Sequence, residues 1–238
     1  MRPVTYSIVL LGLLLVPLFG CDTTKSKAGP ESSQPFFLLA EGDYLSSTYI
    51  DTLKSTRSAW KAGKAARINL VVVHREGNKL LSEPIFNFHE GGFIFAISKN
   101  GSASSVKSGG VEIRNLIANV VDARSVRFGF SEFKPTTYVF VKDATEYISR
   151  AVLVGKYHDH QGRVYEFRED GWAVFPDRRF RFEIGIDHVL TGFDYFMDSG
   201  KVWGFKRNSG ELQIFVTSDA AGFDQIQSRP YLSLLEAR

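Results

Sequence analysis

His158-Asp159-His160 holds the most chemistry of any short run in the chain. On an extended strand its two imidazoles project from one face, as a metal's ligand pair does, while Asp159 points away. A metal-dependent hydrolase built on His158 and His160 needs a third and fourth ligand, for which His188, Asp187 or Asp194 would have to come from neighbouring strands. The competing reading makes residues 159–162 (DHQG) a solvent-exposed hairpin turn. His89-Glu90 pairs a base with an acid, but adjacent strand residues face opposite ways, and this dipeptide also fits a turn. Cys21 is the only cysteine, so no intrachain disulfide can form. The sequence has no Gly-x-Ser-x-Gly elbow, phosphate loop, dinucleotide fingerprint, His-Glu-x-x-His or zinc-type cysteine pair. Catalytic residues of the common kinds are therefore not expected, and no cofactor is implied.

These residues belong to a chain of 238, enough for one large domain or two small ones. With 44% hydrophobic, 13% aromatic and 23% charged residues the composition is globular, which excludes wholesale disorder and a multi-span membrane bundle. A net charge of +3, from 29 Lys and Arg against 26 Asp and Glu, lacks the concentrated basic face that nucleic acid requires.

The amino terminus reads as an export signal over residues 1–20: Arg2 is followed by an apolar run at 8–19. That run is shorter than the roughly 20 residues needed to span a bilayer. It ends in Leu18-Phe19-Gly20-Cys21, which resembles the lipobox of bacterial lipoproteins, with a branched residue at minus three and a small one before the cysteine. The resemblance implies cleavage before Cys21 and attachment of diacylglyceryl and fatty acyl chains such as palmitate to that residue. The protein would then be anchored by lipid to a membrane of the cell envelope, facing the periplasm or the exterior. Asp22 resembles the inner-membrane retention signal of enteric lipoproteins, a rule that does not hold in all bacteria, so the choice of membrane stays open. Residues 22–35 (DTTKSKAGPESSQP) lack large apolar groups and read as a flexible tether with an r.m.s. span of about 20 Å. Residues 21–43 are accordingly assigned to the lipidated cysteine and tether.

Beyond the tether, Leu45, Tyr49, Leu53, Thr56 and Trp60 recur at helical spacing and predict a helix over 44–64. Lys54, Arg57, Lys61 and Lys64 lie on a neighbouring stripe, either solvated or resting on anionic lipid. Period-two runs predict strands at 68–74, 85–88, 93–98, 126–130 and 137–141, then a helix at 143–153 capped by Asp143. Further strands are predicted at 164–167, 172–175, 180–186, 193–197, 202–206 and 212–216, joined by Gly-containing turns. The Gly- and Ser-rich stretch 99–110 is expected to be a loop, either a partner contact or a tolerated insertion. Tyr195 and Trp203 are either core or interface anchors.

The fold class that follows is α+β and mainly antiparallel, with two helix-plus-β-meander units at 44–142 and 143–238. A likeness between residues 88–95 and 167–175 supports the duplication, although strand-Glu-turn-aromatic is also a common hairpin composition. Gly155-Lys156-Tyr157 resembles the Gly-x-Trp that opens the first strand of lipocalin-like barrels. It implies that the second unit is a small closed meander whose interior either holds an apolar ligand or fills with side chains. The expected function is a non-enzymatic binding module for a protein or peptide in the envelope, as an assembly component or an inhibitor. A lipocalin-like carrier and a metal-dependent hydrolase are the alternatives.

Overall fold

A computed structural model describes residues 39–85, 88, 94–97, 103–105, 117–122, 124–129, 134–188, 191–208, 210–220 and 223–237. All of them fall within one compact unit, Gln34–Arg238. The architecture is α+β and mainly antiparallel: two sheets share the chain, the first built from residues 42–142 and the second from residues 155–236.

The first sheet contains β1 (Gly42–Ser46), β2 (Leu70–Glu76), β3 (Lys79–Ile85), β4 (Phe95–Ile97), β5 (Ala103–Ser105), β6 (Ile117–Asp122), β7 (Ser125–Gly129) and β8 (Thr136–Lys142). Their order is β5-β4-β3-β2-β1-β8-β7-β6, so the chain meanders to one edge, restarts at the other and returns to β1 through β8. Alternation along the central strands places neighbours in different cores. Tyr44, Val71, Val73 and Tyr138 pack on one face, and Leu45, Leu70, Val72 and Val139 on the other, so this sheet is buried on both sides.

The expected single helix over 44–64 is corrected to a strand and two helices. Residues 44–46 lie in β1, followed by α1 (Ser47–Thr56) and α2 (Ala59–Ala65). Leu45 has the four-residue spacing of the α1 face, yet its pairing with Leu70 and Val139 holds it in the sheet. Arg57 breaks the helix in the left-handed conformation at φ 49°, and Ser58 restarts it by accepting the Lys61 amide at 3.1 Å. The expected cationic stripe is thereby interrupted, since Arg57 turns to Glu236 at 3.0 Å. Residues 39–43, expected in the tether, are packed: Leu39 is buried and β1 begins at Gly42.

Helix α3 (Ala144–Val152) forms where expected. Asp143 accepts the Glu146 amide at 2.8 Å and Asp43 accepts that of Ala144 at 2.8 Å, so two carboxylates satisfy its first turn. Ile148 and Val152 enter the same core as Tyr49 and Leu53 of α1.

The second sheet contains β9 (Gly155–His158), β10 (Val164–Phe167), β11 (Trp172–Val174), β12 (Arg179–Arg181), β13 (Glu183–Gly185), β14 (Asp194–Asp198), β15 (Lys201–Asn208), β16 (Glu211–Ala220), β17 (Phe223–Ile226) and β18 (Leu232–Glu236). The expected strand 180–186 is thus two strands with Phe182 between them. The order β12-β11-β10-β9-β18-β16-β15-β14-β13 begins and ends on those two strands. One residue spans only about 3.8 Å per Cα step, so the sheet must curl back to its own start as a nearly closed barrel. β17 lies off this path and extends β16 as a hairpin.

Two other expectations shift, and a third falls largely outside the described residues. Of the strand expected at 85–88, Ile85 closes β3 (Lys79–Ile85), whose earlier residues Ser82-Glu83-Pro84 obscure its alternation, and residues 86–87 lie outside the described residues. Within the Gly- and Ser-rich stretch, Ala103–Ser105 pairs with Phe95–Ile97 as an edge strand. Most of residues 88–95, the first member of the internal likeness, lies outside the described residues.

Candidate functional site

Cys21, His89 and Glu90 lie outside the described residues. His158 ends β9 and exposed His160 sits in the turn that follows, where the Gly162 amide donates to the Asp159 carbonyl at 3.0 Å. Asp159 organises this turn. Its carboxylate accepts from the Gln161 and Arg163 amides at 2.9 and 3.0 Å and from Arg163 Nε at 2.6 Å. Burial raises the Asp159 pKa, but the Arg163 bonds outweigh it and hold the carboxyl below its ordinary value. Among the described residues, no three His, Cys, Asp or Glu side chains converge as a metal's ligands must. His158 and His160 are not joined by His188, Asp187 or Asp194.

The barrel interior is occupied by aromatic rings. Phe167 lies 5.2 Å from Phe182, 5.5 Å from Phe196 and 5.7 Å from Phe175, centroid to centroid. Phe196 stacks on Trp203 at 6.4 Å with 10° between planes, and lies 6.4 Å from Phe205. Arg178 covers this cluster, its guanidinium 4.4 Å from the Phe180 centroid and paired with Asp198 at 3.1 Å. Rings at these separations pack edge-to-face or stacked and build the aromatic core of the barrel. Trp203 is core. Tyr195, half-buried, donates its hydroxyl to the Asp187 carbonyl at 2.9 Å.

Open space lies instead outside the barrel, beside α2. Asp194 of β14 accepts the Trp60 amide at 2.9 Å and so ties the helix to the barrel wall. A cavity of about 470 Å³ follows along α2, lined by Trp60, Gly63, Lys64, Ala66, Arg67, Asn69, Ile186 and His188. That volume is within the usual range for small-ligand sites.

Two lining residues carry buried atoms with no partner among the described residues: Asn69 Oδ1 and His188 Nε2. Asn69 is only 1% exposed. An unmet buried polar atom costs about 1–3 kcal/mol. His188 Nδ1 is 3.1 Å from the Phe193 carbonyl, which can only accept, so Nδ1 carries the proton and Nε2 presents a lone pair. Burial lowers the His188 pKa; the Asp194 charge and the Phe193 carbonyl pull it back only in part. Burial likewise pushes the Asp194 carboxyl up against its bonds from Ser58 and Trp60. Lys64 Nζ lies 4.2 Å over the Trp60 ring, and Arg67 also lines the cavity.

The cavity is therefore lined by an indole, an imidazole, an amide and two basic side chains beside apolar groups. Sequence reading named Trp60 and Lys64 only as helix-face residues and His188 only as a metal ligand, and it missed Asn69. The available signal was a lone amide inside the apolar run Ile68-Asn69-Leu70, at a position where an unpaired polar group is costly. Among the described residues no helix is long and apolar enough to cross a membrane. No known family's sequence pattern matches the chain, no curated protein matches it, and no solved structure does.

Proposed function

We propose that this protein is a lipid-anchored binding module of the bacterial envelope, held at a membrane through Cys21 and engaging a protein or peptide partner without catalysing a reaction. The lipobox resemblance at Leu18-Phe19-Gly20-Cys21 supports the anchor. The observation that carries the binding role is a cavity of about 470 Å³ beside α2, outside the aromatic-packed barrel. The same packing disfavours the lipocalin-like carrier, which needs interior space.

The anchor is tested by labelling cells with palmitate: the native chain takes up label and sediments with membranes, and Cys21→Ser does neither. Binding is tested by placing a photo-crosslinking residue at Lys61, on the exposed side of α2. One stoichiometric envelope protein captured in cells supports the reading. A Cys21→Ser chain that stays with membranes overturns the anchor, and crosslinks scattered over many proteins overturn the specific module.

A further inference from the structure

The outer face of strands β10–β12 gathers positive charge around one indole. Alternation buries Tyr165, Phe167, Ala173 and Phe180 in the barrel, so Glu166, Trp172, Val174, Arg179 and Arg181 point outward. Trp172 pairs with Arg181 across β11 and β12, and Val174 with Arg179. Both guanidiniums rest on the indole: Arg179 Cζ lies 4.2 Å and Arg181 Cζ 5.0 Å from the Trp172 ring centroid. A guanidinium stacked by its flat face keeps its in-plane N–H donors free, and these donors take a carboxylate two at a time.

Arg179 and Arg181 are exposed, and neither has an ion-pair partner among the described residues. The acidic side chains around them are engaged elsewhere or stand off. Glu166 is held by Arg168 at 2.8 Å, Glu169 is paired with Arg150 at 3.1 Å, and Asp170 accepts the Trp172 amide at 3.2 Å. Asp177 and Glu183, each two residues from one of the arginines, are exposed and make no ion pair with them. Two cations without a counter-charge fit an acidic partner. They sit two residues apart on one strand, about 7 Å, and an extended peptide with acidic residues at alternate positions repeats at the same distance. Trp172 and Val174, both half-buried, offer apolar surface to the methylenes of glutamate.

We infer that the outer face of β11 and β12 binds an extended acidic segment of a partner protein, with carboxylates of alternate residues on Arg179 and Arg181. This goes beyond the binding reading above and does not depend on the cavity beside α2, with which the surface shares no residue. A phosphate-rich partner such as a lipid surface offers the same charge without the fixed repeat, so the test separates the two.

The experiment is isothermal titration of the full chain in detergent with acetyl-Glu-Val-Glu-Val-Glu-amide, its Gln-for-Glu counterpart, the isomer acetyl-Glu-Glu-Val-Val-Glu-amide, in which no two acids alternate, and tripolyphosphate. The alternating peptide is expected to bind about tenfold more tightly than its Gln counterpart and several-fold more tightly than the isomer. Arg179→Gln and Arg181→Gln, exposed changes that leave the barrel core untouched, should each weaken it about three- to fivefold, with little change in Tm. Trp172→Leu should weaken it as well although both arginines remain, because the guanidiniums lose their platform. Equal affinity for the acidic and Gln peptides overturns the inference, as does an isomer that binds equally well or binding unaffected by both arginine variants. Tripolyphosphate bound more tightly than the peptide assigns the face to phosphate and overturns it too. So does the absence of heat from the alternating peptide at about 5 mM, the weak end of specific recognition.

Discussion

Arg207 Nη1 donates to the Tyr157 hydroxyl at 2.7 Å, joining strands β15 and β9 across the barrel's start. Arg207 Nη2 also reaches Glu236 at 3.0 Å, and Glu236 takes Arg57 Nη1 on both oxygens at 3.0 Å. The break between α1 and α2 is thereby pinned to the last strand. Tyr157 in turn donates to the Leu153 carbonyl at 2.7 Å, closing the end of α3.

Glu236→Gln is expected to destabilise the protein by about 1–2 kcal/mol, because the Arg207 side chain, 5% exposed, loses its counter-charge while remaining desolvated. Burial raises the Glu236 pKa, but the bonds from Arg57 and Arg207 outweigh it and leave the carboxyl below its ordinary value. The stabilisation is present above the unfolded value near 4.5 and is lost as pH falls through the lower folded value. Urea melts between pH 7 and pH 3 should show a drop below pH 4.5 that is smaller in the variant.

Phe196→Ala should cost about 3–5 kcal/mol, since this ring touches Phe167, Phe182, Trp203 and Phe205 at once. The cavity left behind would be apolar and dry, and should take up benzene or xenon. Calorimetric unfolding with and without benzene checks both effects: the ligand should raise the variant's Tm and leave the native protein's unchanged.

Gly185 faces Tyr195 directly across the β13–β14 pair, and a Cβ there would overlap the Tyr195 ring. Gly185→Ala is expected to cost about 1–3 kcal/mol by driving that ring off its place. Tyr195→Phe, which loses the bond to the Asp187 carbonyl, should cost about 0.5–1.5 kcal/mol. Chemical denaturation of the two variants should rank them in that order.

His188 adds a second pH response. Burial holds its pKa below 6.5, so the unfolded chain takes up this proton first and stability falls as pH drops below about 6.5. The loss levels off once the folded imidazole is also protonated. Asp194 works in the opposite sense, because its raised pKa favours the folded state at low pH and that contribution fades as pH rises. Urea melts at pH 7.5 and 5.5 should show a smaller acid loss in His188→Gln than in the native chain.

Most of the strands of the second sheet were legible in the sequence, because period-two alternation and Gly-containing turns are local signals that survive in any context. Gly171, Gly200 and Gly210 each take positive φ at the turns where such a residue is required. Helix α3 was legible for the same reason, as Asp143 and the Ile148–Val152 spacing act within a single element. The aromatic packing of the second sheet was foreshadowed by 20 Phe and nine Tyr.

Tertiary structure alone decided where local patterns were double. Leu45 suits a helix face and a strand equally until β2 and β8 pair with it, and Arg57 suits a helix interior until Glu236 draws it out. Closure at Phe182 is a property of the whole strand order, to which no window of a few residues is sensitive. The placing of Asn69 and His188 on one cavity wall beside α2 is of the same kind, since their spacing in the chain carries no trace of it. Periodicity reports which side of an element is buried; it does not report what that side is buried against, and the cavity is made from the second of these.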